Sequence, residues 1–275
     1  MAKNQWVIVG ASARGLSHIK EDIPCQDSFY YERINDDSGI VALSDGAGSY
    51  SNSHLGSSIT VNTLVNRAKE IVLLFDSDFF ELHAWNDLLW HNTSLKIMLE
   101  VRKELLVYSR TADLRMEDLS CTCQLLIYTK NLILFAHVGD GRAGYRDLQN
   151  DWHALMTPYS GEEAGSTAFI TNNIEKYDLL RSVVVRTPFN AFTMISDGCE
   201  RITWEIASQT GNDIVITNKP FAKFFDANIL YLKAKSNECN EMELNSIWAE
   251  YLEGGTGDFA NESDDKTIII GLLNK

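Results

Sequence analysis

Three apolar runs in this chain stop at the same dipeptide. IVALS ends in Asp45-Gly46, LILFAHVG in Asp140-Gly141 and AFTMIS in Asp197-Gly198. A fourth acidic pair, Asp264-Asp265, stands immediately before the apolar run KTIIIGLL. Runs of this length, rich in β-branched and aromatic residues, read as buried strands. An aspartate at a strand end is costly if it is buried without compensation. Asp-Gly after a strand is also ordinary turn chemistry, so any one of these ends taken singly is explained as a turn. If the strands are neighbours, however, the carboxylates converge. Like charges brought together need a counter-charge, and the usual one for hard oxygen donors is Mg²⁺ or Mn²⁺.

The remaining pattern limits the fold class. Strands are expected at 5–12, 28–33, 39–44, 121–128, 132–138, 142–146, 152–156, 182–187, 191–196 and 267–273. Helices are expected at 53–75, 79–109, 218–235 and 240–253. In the first helix Leu55, Ile59, Leu64, Val65, Ala68 and Val72 recur at helical spacing. Lys130-Asn131 suits a tight hairpin turn. Strands come in groups and helices in pairs, which indicates α+β and not alternating βαβ units. No linker is evident, so residues 1–275 are read as a single domain. The least regular stretch, 157–181, reads as a surface flap.

A net charge of −14 disfavours nucleic acid and anionic membrane as partners. No apolar stretch approaches the length of a membrane span. Five cysteines (25, 121, 123, 199, 239) without a CxxC fit unpaired thiols in a reducing compartment, and the expected location is cytoplasmic. Cys121 and Cys123 read as packing residues on one strand face. The histidines (18, 54, 83, 91, 137, 153) include no pair at i, i+4. His137 reads as a satisfied core residue and His54 as the start of a helix. Phosphate-loop, dinucleotide, zincin and nucleophile-elbow motifs are all absent.

Taken in order, PCQDSF (24–29), ALSDGAGS (42–49), CTCQLLI (121–127), AHVGDGRAGY (136–145), FTMISDGCERI (192–202) and SDDKTIII (263–270) resemble the motifs of the metal-dependent protein phosphatase family, type 2C. The PCQD, DGAGS and DDKT forms resemble its bacterial branch. The resemblance implies a four-layer α-β-β-α sandwich, two antiparallel sheets flanked by helices. It implies hydrolysis of phosphoserine and phosphothreonine in proteins phosphorylated by a serine/threonine kinase, with two Mn²⁺ or Mg²⁺ ions and a third in bacterial members. Residue by residue, Asp45 would bridge two metals and the Gly46 carbonyl would bind one. Asp197 and Asp264 would hold the other, Asp140 would match the third-metal position, and Asp27 would orient water. Asp27, Asp45, Asp197 and Asp264 are thus the catalytic candidates. Departures are Gln26 in place of a glutamate ligand, Ala47 in place of a histidine acid, and Asp265 in place of an asparagine. The family's phosphate-binding arginine has no clear counterpart; Arg14, His18 and Lys20 are candidates, His18 and Lys20 foremost. The competing readings are a catalytically weak interaction module of the same fold and a hydrolase of small phosphate esters.

Overall fold

The computed structural model describes residues 6–75, 84–157, 167–210, 213–255 and 257–274. The chain divides into two compact units, each discontinuous in sequence. The first comprises Met1–Ile23, Arg142–Thr157 and Phe189–Lys275; the second comprises Pro24–Gly141 and Pro158–Pro188. Each unit is built on its own five-stranded antiparallel sheet. The protein is therefore α+β, with long-range antiparallel pairing and separate helices.

In the first unit β1 (Trp6–Ala13), β6 (Arg142–Asp147), β7 (Trp152–Ala154), β9 (Phe189–Ile195) and β12 (Lys266–Leu273) pair in the order β1-β12-β9-β6-β7. The first and last strands are neighbours, with Trp6 opposite Leu273 and Ala13 opposite Lys266. Alternate residues Val7, Val9 and Ala11 of β1 and Ile268, Ile270 and Leu272 of β12 pack with Phe225, Ile229 and Leu232 of α5 (Ala222–Lys235) and Leu244 and Trp248 of α6 (Glu241–Glu250). The Trp248 indole N–H donates to the Ile268 carbonyl at 3.0 Å, which lets so large a ring be buried with its polar atom satisfied. As an edge strand, β1 leaves backbone groups unpaired. Asn245 of α6 accepts from the Gly10 N–H at 3.0 Å, so the polar residue that interrupts the helix's apolar face has a tertiary partner. α6 begins at a capping box of Asn240 and Glu243.

In the second unit β2 (Ser28–Asn35), β3 (Ser38–Ser44), β4 (Cys123–Tyr128), β5 (Ile133–Val138) and β8 (Arg181–Val185) pair in the order β2-β3-β4-β5-β8. One face packs on α2 (Ser53–Phe75) and α3 (Asp87–Thr111) through Ile40, Ala42, Leu125, Ile127 and Leu134 against Leu64, Val65, Ala68, Met98, Val101 and Leu105. Full burial of each such aliphatic side chain contributes roughly 1.5–3 kcal/mol. Cys121 and Cys123 belong to this core. Burial pushes the Cys121 thiol up to about 11 and the Cys123 thiol higher still, so both are inert packing groups as expected.

Several expectations need correction. Residues 218–220 are strand, not helix. After the one-turn α4 (Glu200–Thr203), a hairpin of β10 (Trp204–Thr210) and β11 (Asp213–Pro220) precedes α5, and Phe221 caps that helix. Within the second expected helical region, 79–109, the described helix is α3, which starts at 87 because the Asn86 side chain accepts from the Leu89 N–H at 2.8 Å. Residues 79–83, also expected to be helical, lie outside the described residues. So do 158–166 of the expected flap. The rest of that stretch is no surface segment: Ile170, Ile174, Leu179 and Leu180 are buried in the core of the second unit. His137 is buried but not satisfied, since neither ring nitrogen has a hydrogen-bond partner among the described residues.

Candidate functional site

The acidic strand ends are divided between the two units. In the second unit β3 delivers Asp45, and its main chain is fixed on both sides by Thr122. The Asp45 N–H donates to Thr122 Oγ1 at 3.0 Å, and the Thr122 N–H donates to the Asp45 carbonyl at 2.8 Å. Gly46 forms an isolated bridge with Cys121. That bridge is closed by the Thr122 and Ala47 N–H groups, the latter donating to Ser120 O at 2.9 Å, and so does not use the Gly46 carbonyl. Gly46 itself donates to the Gln26 carbonyl at 3.2 Å. A side chain here would put Cβ 2.7 Å from that same oxygen. Glycine is therefore required by the close approach of the 24–29 segment, not only by the turn. Ser57 of α2 also donates to the Gln26 carbonyl at 2.6 Å. This tie explains why small polar residues open the helix after Asp45. Asp27, next to Gln26, is buried.

Asp140 comes after β5 through Gly139, whose φ of +126° is open to glycine alone. A Cβ at Gly139 would lie 2.6 Å from Thr122 Cβ. Thr122 thus positions the Asp45 turn with its hydroxyl and supports the Asp140 turn with its methyl-bearing face. It was missed by motif reasoning. The signal was the alternation in Cys121-Thr122-Cys123, which turns a polar residue to the opposite face from two core thiols. Thr122→Val keeps the shape and strands the Asp45 N–H. The expected loss is about 1–3 kcal/mol, read as a lower midpoint in urea unfolding.

In the first unit Asp197 and the Asp264-Asp265 pair occupy adjoining turns. The Ser196 N–H donates to the Thr267 carbonyl at 3.1 Å, and the Thr267 N–H returns to Ser196 Oγ at 2.9 Å. Gly198 presses on the other turn so closely that a Cβ would sit 2.1 Å from Asp265 O and 3.4 Å from Asp264 Cβ. Within the acidic turn the Asp265 N–H donates to Asp264 Oδ1 at 2.8 Å, a bond that does not engage Oδ2. The Asp264 carboxyl is held above the usual carboxylate range by partial desolvation, with the charges of Asp265 and Glu262 adding to it. A cation beside it would remove that penalty.

Each unit therefore presents hard oxygen donors on rigid turns: Asp45 and the Gly46 carbonyl in one, Asp197 and Asp264 in the other. In each unit taken by itself these are hard oxygen donors, of the kind that suits Mg²⁺ or Mn²⁺ and not a soft metal. Among the described residues no three carboxylate, imidazole or thiol side chains gather closely enough to enclose an ion.

The two phosphate-binding candidates from the sequence are placed differently. His18 on α1 (Leu16–Glu21) is buried, its Nδ1 2.9 Å from Asp265 Oδ1, although the ring N–H is not aligned for a full hydrogen bond. Lys20 is exposed on the same helix. Arg14 is exposed and faces the Ile23 carbonyl at 3.4 Å.

Known proteins resemble this chain over nearly its whole length. Serine/threonine-protein phosphatase 3 of Escherichia coli (strain K12) is 28% identical over 97% of this chain and 98% of its own. The serine/threonine phosphatase of S. agalactiae superposes with a TM-score of 0.61 at 15% identity, over 98% of this chain and 99% of its own. Stp1, a serine/threonine phosphatase from Staphylococcus aureus, does so with a TM-score of 0.56 at 13% identity, over 98% and 95%. Residues 14–246 match the family described as protein phosphatase 2C, and the chain belongs to that family.

Proposed function

We propose that this protein is a Mn²⁺- or Mg²⁺-dependent phosphatase of phosphoserine and phosphothreonine in proteins. The observation that carries the metal reading is the pair of interlocked turns that hold Asp197 and Asp264, where Gly198 lies against the Asp265 carbonyl. Asp45, the Gly46 carbonyl, Asp197 and Asp264 would be metal ligands, and Asp140 the ligand of a third ion. When bound, such ions supply an activated water and offset charge on the phosphoryl oxygens. The chain's own contribution is orientation: Thr122 fixes the Asp45 main chain, Ser196 and Thr267 fix the Asp197 turn, and buried Asp27 would orient water by hydrogen bonding. Ala47 cannot donate a proton, so departure of the serine or threonine oxygen relies on solvent. The substrates would be proteins phosphorylated by a serine/threonine kinase. No described helix is long and apolar enough to cross a membrane, and none of the five cysteines is in a disulfide; we place the protein in the cytoplasm.

The test is phosphate release from a phosphothreonine peptide with Mn²⁺ and with EDTA. Release only with Mn²⁺ is expected. Turnover of p-nitrophenyl phosphate but of no phosphopeptide would favour a small-ester hydrolase instead. Metal should also stabilise the fold, by about 2.7 kcal/mol at a hundredfold excess over Kd. A melting temperature unchanged between EDTA and millimolar Mn²⁺ would count against the ligand assignment.

A further inference from the structure

The contact between α1 and the acidic turn has a sequence separation of about the whole chain and a geometry too specific for general packing. The Gly15 N–H donates to Asp265 Oδ1 at 2.8 Å, and His18 Nδ1 lies 2.9 Å from the same oxygen. The Leu16 N–H donates to Glu262 O at 2.9 Å and the Ser17 N–H to Ser263 O at 3.1 Å. Gly15 approaches so closely that a Cβ would lie 2.2 Å from Ser263 O and 2.3 Å from Asp264 C. The start of α1 is thus laid along residues 262–265, and the His18 ring reaches past it to the buried Asp265 carboxylate. That carboxylate is one residue from Asp264, and the Asp265 N–H holds Asp264 Oδ1 at 2.8 Å.

We propose that His18 is a positioning residue for the metal site: the Gly15 N–H hydrogen bond anchors Asp265 Oδ1, the His18 Nδ1 confines the same oxygen by a polar contact at 2.9 Å that is outside hydrogen-bond alignment, and through Asp265 the pair sets the direction of the Asp264 carboxylate. This rests on Asp264 being a metal ligand, and it assigns His18 a role other than binding substrate phosphate. The chemistry is that of an outer-shell partner. A ligand carboxylate that can swing must be ordered when the ion binds, and a neighbour that orders it beforehand raises affinity. Loss of such partners commonly costs about 10–100-fold in metal affinity. The backbone bonds from Leu16 and Ser17 hold the main chain of the acidic turn, whereas the Gly15 N–H and the His18 ring are placed against the Asp265 carboxylate itself.

The test is Mn²⁺ titration of the full chain by calorimetry, with the Mn²⁺ paramagnetic resonance signal as a second readout and no substrate present. Wild type, His18→Gln and His18→Asn are compared, with circular dichroism to confirm folding. Asn places an amide N–H near the Nδ1 position, whereas Gln places it near Nε2. The expected result is Mn²⁺ affinity about 10–100-fold weaker in His18→Gln, with recovery of most of that loss in His18→Asn. Wild-type affinity in both variants would overturn the proposal, as would equal weakening in both, which indicates a merely structural role. Wild-type protein that binds no Mn²⁺ would instead overturn the metal reading itself. Phosphate-product inhibition measured alongside separates the two roles of His18: an unchanged inhibition constant in His18→Gln is expected, and a weakened one at unchanged Mn²⁺ affinity would return His18 to the phosphate site.

Discussion

Asp45→Asn and Asp197→Asn should each abolish metal-dependent phosphate release and leave a folded protein. The fold is spared because each turn is held by groups other than the carboxylate. Asp45 is held through its own N–H and carbonyl by Thr122, and the Asp197 turn through Ser196 and Thr267. Asparagine keeps the size of the side chain and removes one ligand charge. Metal assistance to phosphoryl transfer contributes several kcal/mol, and each 1.36 kcal/mol is tenfold in rate, so a fall on the order of 10³ in kcat/KM is expected. Asp140→Asn should be milder, slowing turnover while Mn²⁺ still binds. The measurement is phosphopeptide turnover at saturating Mn²⁺, with thermal melts as the control for folding. Either of the first two variants within tenfold of wild type would show that its carboxylate is not a ligand.

The largest effect on stability should come from His137, far in function from the acidic turns. It sits on β5 opposite Gln124 of β4 and Arg181 of β8. Burial, with the Arg181 charge adding to it, pushes its imidazole down to about 4 from an ordinary value of 6.5. The folded state therefore refuses a proton that the unfolded chain accepts between these two values. Stability from keeping His137 neutral is fully present above about pH 6.5 and is lost as the pH falls towards 4. At 1.36 kcal/mol per unit the loss is about 3 kcal/mol across that window. Other groups titrate in the same range, so the comparison must be a difference. Urea unfolding of wild type and His137→Leu at pH 7.5 and pH 4.5 should show the variant gaining roughly that amount on wild type at the lower pH. A gap between the two proteins that does not change with pH would mean that the ring is charged, or hydrated, in the fold.

His137 also marks a boundary between local and tertiary information. Its burial was legible from the apolar residues on either side, because strand length and side-chain alternation are local properties of the chain. The lack of a hydrogen-bond partner among the described residues was not, because that depends on which residues β4 and β8 place beside it. The same division runs through the fold. The span of α2, 53–75, comes from apolar spacing alone and is found with those bounds. The β4–β5 hairpin comes from Lys130-Asn131 between two apolar runs. By contrast, the β10–β11 hairpin mixes Glu205, Gln209, Asn218 and Lys219 with scattered apolar residues. Its pairing is a property of two strands together, and the second was absorbed into the helical pattern of the residues after it. Residues 168–180 look polar in sequence, yet four aliphatic side chains suffice to draw the segment into the core of the second unit.

The candidate site divides in the same way. Asp45, Asp140, Asp197 and Asp264 announce themselves because an acidic residue at the end of a buried strand is locally costly. What holds them does not. Thr122 meets Asp45 across 77 residues, and Gly15 meets Asp265 across 250. The sequence by itself determined which residues could bear the chemistry, through composition at strand ends. Only the tertiary structure decided which small and polar neighbours fix their directions, because a hydrogen bond is set by distance and angle in space and leaves no periodic trace along the chain.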